Sequence, residues 1–256
     1  MLGYVAGKLF EIAGKAAVDS GIDEIVTNRR WLSHAIGART LWANRSIRVS
    51  IAEILRLKSG QKYVLVQNAR QSERVTPIGG VIRCFPSGLA HLQDKLQYVP
   101  EVSGGDRQFD LRGFVIGKRF PAFLSWLYSE QGRERQALSR EIVEELKEVG
   151  DHGIADAVTR PEYRLVRMVH EGPVPVKGVE YWQYRLFYVY ELEKEHAESK
   201  GLADAIVAAA NKSKGLVLVS NGEIQKGRAK NGKLVGDSSG YLFGSTAAGA
   251  KPTPYR

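Results

Sequence analysis

Four carboxylates crowd the twelve residues SREIVEELKEVG, Ser139 to Gly150. At about 100° per residue, Glu144, Glu145 and Glu148 fall within about 60° of Glu141 on a helical wheel, while Leu138, Ile142, Leu146 and Val149 gather on a different side. Like charges three or four residues apart cost roughly 0.2–0.5 kcal/mol per pair on an exposed helix. A hard divalent cation would remove that repulsion, and clustered carboxylate oxygens suit Mg2+ or Mn2+. Such an ion clamps phosphate oxygens and acidifies a bound water, which is the chemistry of hydrolysis at phosphorus. A solvated acidic face of an ordinary helix has the same pattern, so the helix alone leaves both readings open.

The elements that would position this helix are legible in the patterning. SIRVSIAEILRL and KYVLVQNA read as strands joined by a hairpin through KSGQ, with Gly60 in the turn. RVTPIGGVI follows, a strand punctuated by Pro77 and by Gly79-Gly80, which permit close backbone approach. GLAHLQDKLQYV reads as a helix, QFDLRGFVIGKRF as a strand and PAFLSWLYSEQ as a helix opened by Pro121. Beyond the acidic helix, EYRLVRMVHEG and EYWQYRLFYVYELE read as strands joined by a PVPVKG loop, GLADAIVAAANKS as a helix and KGLVLVSNGEI as a strand. Strands before, between and after helices, without regular alternation, predict an α+β sandwich.

Composition narrows the class. The 256 residues carry a formal net charge of +9, with 43% hydrophobic and 25% charged residues, as expected of a globular protein drawn to anions. A lone cysteine, Cys84, excludes an internal disulfide and a multi-cysteine zinc site, and points to a reducing, cytoplasmic setting. MLGYVAGKLFEIAGKAAVDSGIDEIV has helical periodicity, but Lys8, Glu11 and Lys15 interrupt it, so it reads as a packed or subunit-joining helix rather than a transmembrane or secretory segment.

REIVEEL, with a Gly-Gly after an upstream strand, resembles the signature of the Nudix hydrolase family, G-x5-E-x7-R-E-U-x-E-E-x-G-U, where U is a bulky aliphatic residue. By that resemblance Arg140 orients the carboxylates, Glu141, Glu144 and Glu145 bind catalytic metal, and the Gly79-Gly80 backbone lies against metal and phosphate, the Gly80 carbonyl being a further ligand. The match is interrupted. Eight residues before Arg140 stands Gly132 where the family has Glu, and Lys147 and Glu148 replace Gly and an aliphatic residue. SIRVSIAEILRLKSGQKYVLVQN, PIGGVIRCFP, DLRGFVIGKRFPAFLSWL and SREIVEEL, in this order, are similar to the SMODS-associated Nudix subfamily, encoded with cyclic-oligonucleotide synthases in bacterial antiphage systems and split by such an insertion.

The resemblance implies a Nudix-type α/β/α sandwich with a mixed sheet over residues 46–245, an insertion over about 83–132, a helical extension over 1–45 and a loose tail over 246–256. It implies a Mg2+- or Mn2+-dependent hydrolase of a nucleoside diphosphate-linked substrate, with Arg112, Lys118 and Arg119 of the insertion as phosphate-binding candidates. A nucleotide-sensing module that binds a cyclic oligonucleotide without cleaving it, assembling as a homodimer through the N-terminal helix, is the alternative. Nucleic-acid binding through NKSKGLVLVSNGEIQKGRAKNGK is less favoured, because stacking aromatics are absent there. His170 is the one histidine expected near the site. His34, His91, His152 and His196 have no partner spacing, and Glu171, Glu180 and Glu191 are open candidates for a general base.

Overall fold

The computed structural model describes residues 42–69, 71–212 and 215–244; the expected N-terminal helix, His34 and the tail lie outside them. The first strand, β1 (Ser46–Leu55), sends Ile47, Val49, Ile51 and Leu55 to one face and Ala52 and Ile54 to the other. β2 (Lys58–Ser59) turns through Gly60, at φ +58°, into β3 (Lys62–Asn68), as the hairpin signal predicts. β4 (Gln71–Thr76) and β5 (Gly79–Val81) follow. The insertion contributes α1 (Pro86–Leu96), β6 (Val99–Pro100), β7 (Arg112–Ile116) and α2 (Phe120–Ser129), and both its helices carry Pro in their first turn.

The acidic helix is α3 (Leu138–Glu148), and it buries Leu138, Ile142 and Leu146 as its apolar stripe requires. After it come α4 (His152–Asp156), β8 (Tyr163–Pro175), β9 (Trp182–Leu192), α5 (Ala197–Ala210), β10 (Leu216–Ser220), α6 (Asn221–Lys226) and β11 (Leu234–Val235). Two expectations shift. β8 continues through Pro175, so only part of PVPVKG is loop. SNGEI is helical rather than extended, because Ser220 and Glu223 close a reciprocal capping box at the start of α6.

One sheet has the order β6-β7-β1-β9-β8, and β5 also pairs with β1; the other runs β10-β3-β4-β11, with β2 on β3. β1 is parallel to β9 and antiparallel to β5 and β7, so the sheet is mixed. Ile47, Val49 and Ile51 meet Leu92, Phe120 and Phe123 of the insertion in one core. Ala52, Ile54 and Val189 meet Leu65, Val75 and Val219 in a second, between the sheets. α3 and α5 close a third core on Leu55, Val64 and Val66. The insertion is therefore structural, supplying both a neighbour of the central strand and much of the largest core.

The ends of the insertion meet. Phe85 N–H donates to the Gly132 carbonyl at 2.8 Å, Glu134 N–H donates to the Arg83 carbonyl at 2.8 Å, and Cys84 faces Arg133 in an antiparallel bridge. Gly132 sits at φ +75°, and a Cβ there would lie 2.8 Å from the Gly88 Cα. The position where the family has Glu is thus sterically reserved for glycine. Replacing it, Gly132→Glu, is expected to destabilise the fold by about 2 kcal/mol. Thermal unfolding checks this, with a melting temperature lower by about 4–8 °C.

Candidate metal and phosphate site

β5 brings its glycine pair against α3. Gly79 N–H donates to Glu145 Oε2 at 2.9 Å, and a Cβ on Gly80 would collide with the Glu141 carboxylate. Gly79 adopts φ +138°, and a Cβ there would also meet the Glu53 carbonyl of β1. Two glycines are therefore what allow a strand edge and a carboxylate face to touch.

Arg140 ties the carboxylates together. Its Nε and Nη2 donate to the two oxygens of Glu134, each at 3.0 Å, and Nη2 also reaches the Val81 carbonyl at 3.1 Å. Its Nη1 donates to Glu141 and, at 3.3 Å, to Glu144. A second cation, Arg83, lies 3.7 Å from Glu144 and 3.4 Å from Asp110, while its backbone N–H donates to Glu134 at 3.0 Å. Sequence reasoning missed Glu134 and Arg83. Glu134 stands six residues before Arg140 rather than eight, and a search for an acid near the expected box position would have found it; Arg83 carries no local signal.

Glu53 was missed as well, although its signal is plain. It falls in the phase of Ile47, Val49, Ile51 and Leu55 on β1, a core-facing position, and is 2% exposed. Its Oε2 accepts the Leu138 N–H at 3.0 Å, capping α3, whose own N-cap residue Ala137 has no side-chain acceptor. Burial pushes the Glu53 carboxyl up to about 7, against the opposing pull of the Leu138 N–H and Arg133.

Burial also raises Glu145 well above the usual carboxylate range, with Glu141, Glu148 and Glu144 adding to it and the Gly79 N–H opposing it. Glu141 is raised by burial and by Glu144, against Arg140 and Arg83. Burial opposes the charge on Arg140, but Glu134 and Glu141 outweigh it and raise its pKa. The donors fit a hard divalent ion in type: carboxylate oxygens that repel one another and a backbone brought close by glycine. Their arrangement is not that of a loaded site. Among the described residues no group of three or more His, Cys, Asp and Glu side chains is set to hold a metal ion, and Arg140 bridges Glu141 and Glu144 instead.

Gly79, Gly80, Arg140, Glu141, Glu144 and Glu145 are thus brought together; the insertion's predicted basic residues are not. Arg112 pairs with Ser50 of β1, on the sheet face opposite Glu53, and its Nε lies 3.8 Å from Glu101. Lys118 and Arg119 are exposed beyond Ile116, which pairs with Ser46, so about 23 Å of strand separates that end of β1 from Glu53. His170 Nδ1 meets the Tyr184 hydroxyl at 2.9 Å, Glu171 pairs with Arg185, and Glu191 is held by Arg56 and Arg164, while Glu180 is exposed. Lys147 pairs with Asp156, and Glu148 is exposed. Cys84 is buried, its thiol pushed up to about 11 by that burial, which is the behaviour of a packing residue rather than a nucleophile.

The family described as the SMODS-associated NUDIX domain matches the chain over residues 46–243, most of its length and all of the fold above. The chain belongs to that family, and is a Nudix-type, antiphage-associated module. Comparison with curated proteins and with solved structures found no match. No helix among the described residues is long and apolar enough to cross a membrane.

Glu53 gives the site a pH signature. Its folded pKa of about 7 lies above the ordinary glutamate value of 4.5, so the folded state holds the proton more tightly and stability falls as pH rises from 4.5 to 7. In metal-free protein this contribution is about 3 kcal/mol, and Glu141 and Glu145 act with the same sign. Denaturant unfolding of wild type and Glu53→Gln across that range is expected to show the wild type losing more stability, since the amide keeps the Leu138 hydrogen bond without titrating.

Proposed function

We propose that the chain is a Mg2+- or Mn2+-dependent Nudix hydrolase acting on a nucleoside diphosphate-linked or related nucleotide, in bacterial antiphage defence. The observation that carries this reading is the contact of Gly79-Gly80 with Glu141 and Glu145, made across an insertion of about fifty residues. A chain with no use for a carboxylate face beside an open backbone would not need two glycines there.

In this reading Glu141, Glu144 and Glu145, with the Gly80 carbonyl, hold the metal. The bound ion supplies charge to phosphate oxygens and an acidified water at neutral pH. The chain's own residues do the rest. Gly79 N–H fixes one Glu145 oxygen and so leaves the other free to turn outward. Arg140, anchored twice on Glu134, would keep its place by that pair were Glu141 and Glu144 to hold a cation. Arg83, at the edge beside Glu144, is a further positive group for a phosphate arriving there.

A second reading, a nucleotide-binding module with weak or no turnover, is favoured by the same guanidinium bridge, since Arg140 and Arg83 already neutralise Glu141 and Glu144. Localisation in the cytoplasm and dimerisation through the N-terminal segment belong to either reading.

The deciding experiment is a Glu144→Gln/Glu145→Gln double variant. Wild type is expected to gain a few degrees of melting temperature with millimolar Mg2+ and to release phosphorylated products from a nucleoside diphosphate derivative, read by mass. The double variant should fold, lose most of the Mg2+-dependent stabilisation and lose turnover by at least a hundredfold. Turnover unchanged in the double variant overturns this metal site and its mechanism, and absence of Mg2+-dependent turnover by wild type removes the hydrolase reading. A ligand bound by wild type and recovered intact supports the module reading.

A further inference from the structure

The second sheet ends on β10, whose one strand neighbour among the described residues is β3, in an antiparallel ladder without a register shift. The Gln67 N–H donates to the Gly215 carbonyl at 2.7 Å, one step before Leu216 pairs with Val66. Hydrogen-bonding direction alternates along an antiparallel strand. Val217 and Val219 therefore also turn their backbone groups toward β3, while Leu216, Leu218 and Ser220 turn theirs outward. The Ser220 N–H donates to Glu223 Oε2 at 3.0 Å, which closes the edge at α6. Among the described residues, the outward N–H and C=O groups of Leu216 and Leu218 have no hydrogen-bond partner. Strand edges are ordinarily blunted by an inward charge, a proline, a bulge or a covering element. LVLVS has none of the first three.

In place of a covering element, a cavity of about 420 Å³ opens along Leu216, Val217 and Leu218. Val217 and Leu218 are half-buried. The cavity has two unlike walls. Leu216 and Leu218 turn their side chains to the core under α5, whose last residue, Ala210, lines that side. Val217 turns to the core between the sheets, and on that side stand Gln67, Asn231 and Lys233. Lys233 bonds through Nζ to the Gln67 side-chain oxygen, a neutral acceptor. Among the described residues it is the one charged side chain lining the cavity, and no carboxylate lines it. Lys212, two residues beyond Ala210, is exposed. Glu223, beside the end of β10, is engaged by Ser220 and by the Lys230 N–H at 2.7 Å, so it belongs to α6 rather than to the groove.

We propose that the β10 edge is a docking site for an extended acidic segment of a partner protein, added as an antiparallel strand. Such a strand hydrogen-bonds through the residues directly opposite Leu216 and Leu218, and these share the leucines' face. Their apolar side chains lie against Ala210, and the residues between them turn carboxylates toward Lys233. The segment therefore alternates apolar and acidic residues. Backbone pairing supplies affinity, and the two unlike walls select the sequence. A second copy of the chain would bring Lys212 and Lys233 of each copy together, and residues 245–256 carry Lys251 and Arg256 with no Asp or Glu. Charge thus favours a partner over either occupant from the chain itself. β10 and β5 belong to different sheets, so the inference does not rest on the hydrolase reading.

The test is fluorescence anisotropy of a labelled, acetylated peptide, EVEVEVE, on the full chain in EDTA. Wild type is expected to bind it at least tenfold more tightly than KVKVKVK. Methylating the valine amide nitrogens should weaken binding tenfold or more, and methylating the glutamate amide nitrogens less than threefold. Leu218→Pro removes an outward N–H without touching the ladder to β3, and should weaken binding about tenfold. Lys233→Glu should weaken it about fivefold. The methylated peptides keep the test intact if either variant fails to fold. Absence of EVEVEVE binding overturns the proposal, as does equal binding of the two methylated peptides. Tripolyphosphate competing as well as unlabelled EVEVEVE reduces the edge to a general anion patch and overturns it. Equal competition by the peptide STAAGAKPTPYR, or self-association of wild type that Leu218→Pro abolishes, gives the edge another occupant and overturns it too.

Discussion

The closure of the insertion is the constraint on which the rest of the molecule depends. Arg83 through Phe85 and Gly132 through Glu134 run antiparallel over a few hydrogen bonds, and that short contact rejoins a motif the chain has split by about fifty residues. Because it closes, Glu134 comes within reach of Arg140, Arg83 comes beside Glu144, and α3 starts at a point where Glu53 can cap it. Without it β5 and α3 would be two unrelated elements. The glycine pair Gly88 and Gly132 sets how closely the first turn of α1 packs on the end of this closure, and so a steric condition outside α3 bears on the electrostatics of its carboxylates.

Those electrostatics are arranged around a shared guanidinium. Arg140 is held by Glu134 and the Val81 carbonyl on one side and donates through Nη1 to Glu141 and Glu144, so mutual repulsion on α3 is eased by a cation of the chain itself. Among the described residues Glu145 is paired with no cation and leans on the Gly79 N–H, so burial shifts it far toward its neutral form. The family generally works with divalent cations. A carboxylate set that prefers to be neutralised, with one member leaning on a backbone donor, is the chemical form such a preference takes in a metal-free chain.

Much of this was legible in the residues, and for identifiable reasons. β1, β3, β9 and α3 follow from alternation or helical spacing, because each has one face on a core and one toward a different environment. The meeting of Gly79-Gly80 with α3 was readable through the family resemblance, not through spacing. Three features were not readable. Glu134, visible in sequence as an acid near the expected box position, acquires its contacts with Arg140 and Arg83 only through a closure between residues fifty apart, which no local pattern encodes. Arg83 acquires its neighbours only when the insertion folds back. The basic residues Lys118 and Arg119 looked like phosphate ligands in one dimension, but the antiparallel pairing of β7 with β1 carries them to the wrong end of the strand. SNGEI misled for a local reason: β-branched residues set up a strand that the Ser220 capping box then stops.

The position of β1 has a consequence for how the chain comes together. Beyond a three-residue pairing with β5, its partners are β7, some sixty residues later, and β9, about 135 residues later, and the β1–β9 pair is parallel, so no tight turn can nucleate it. Loop closure must be met before either contact contributes. On the ribosome, therefore, the central strand waits with an open edge until Leu192 has emerged, three-quarters of the way along the chain. The insertion shortens that wait on one side, because β7 and the helices packed beneath it are complete by Ser129 and can shelter Ile47, Val49 and Ile51 first. An element that interrupts the motif in sequence thus serves the nascent chain as an early template.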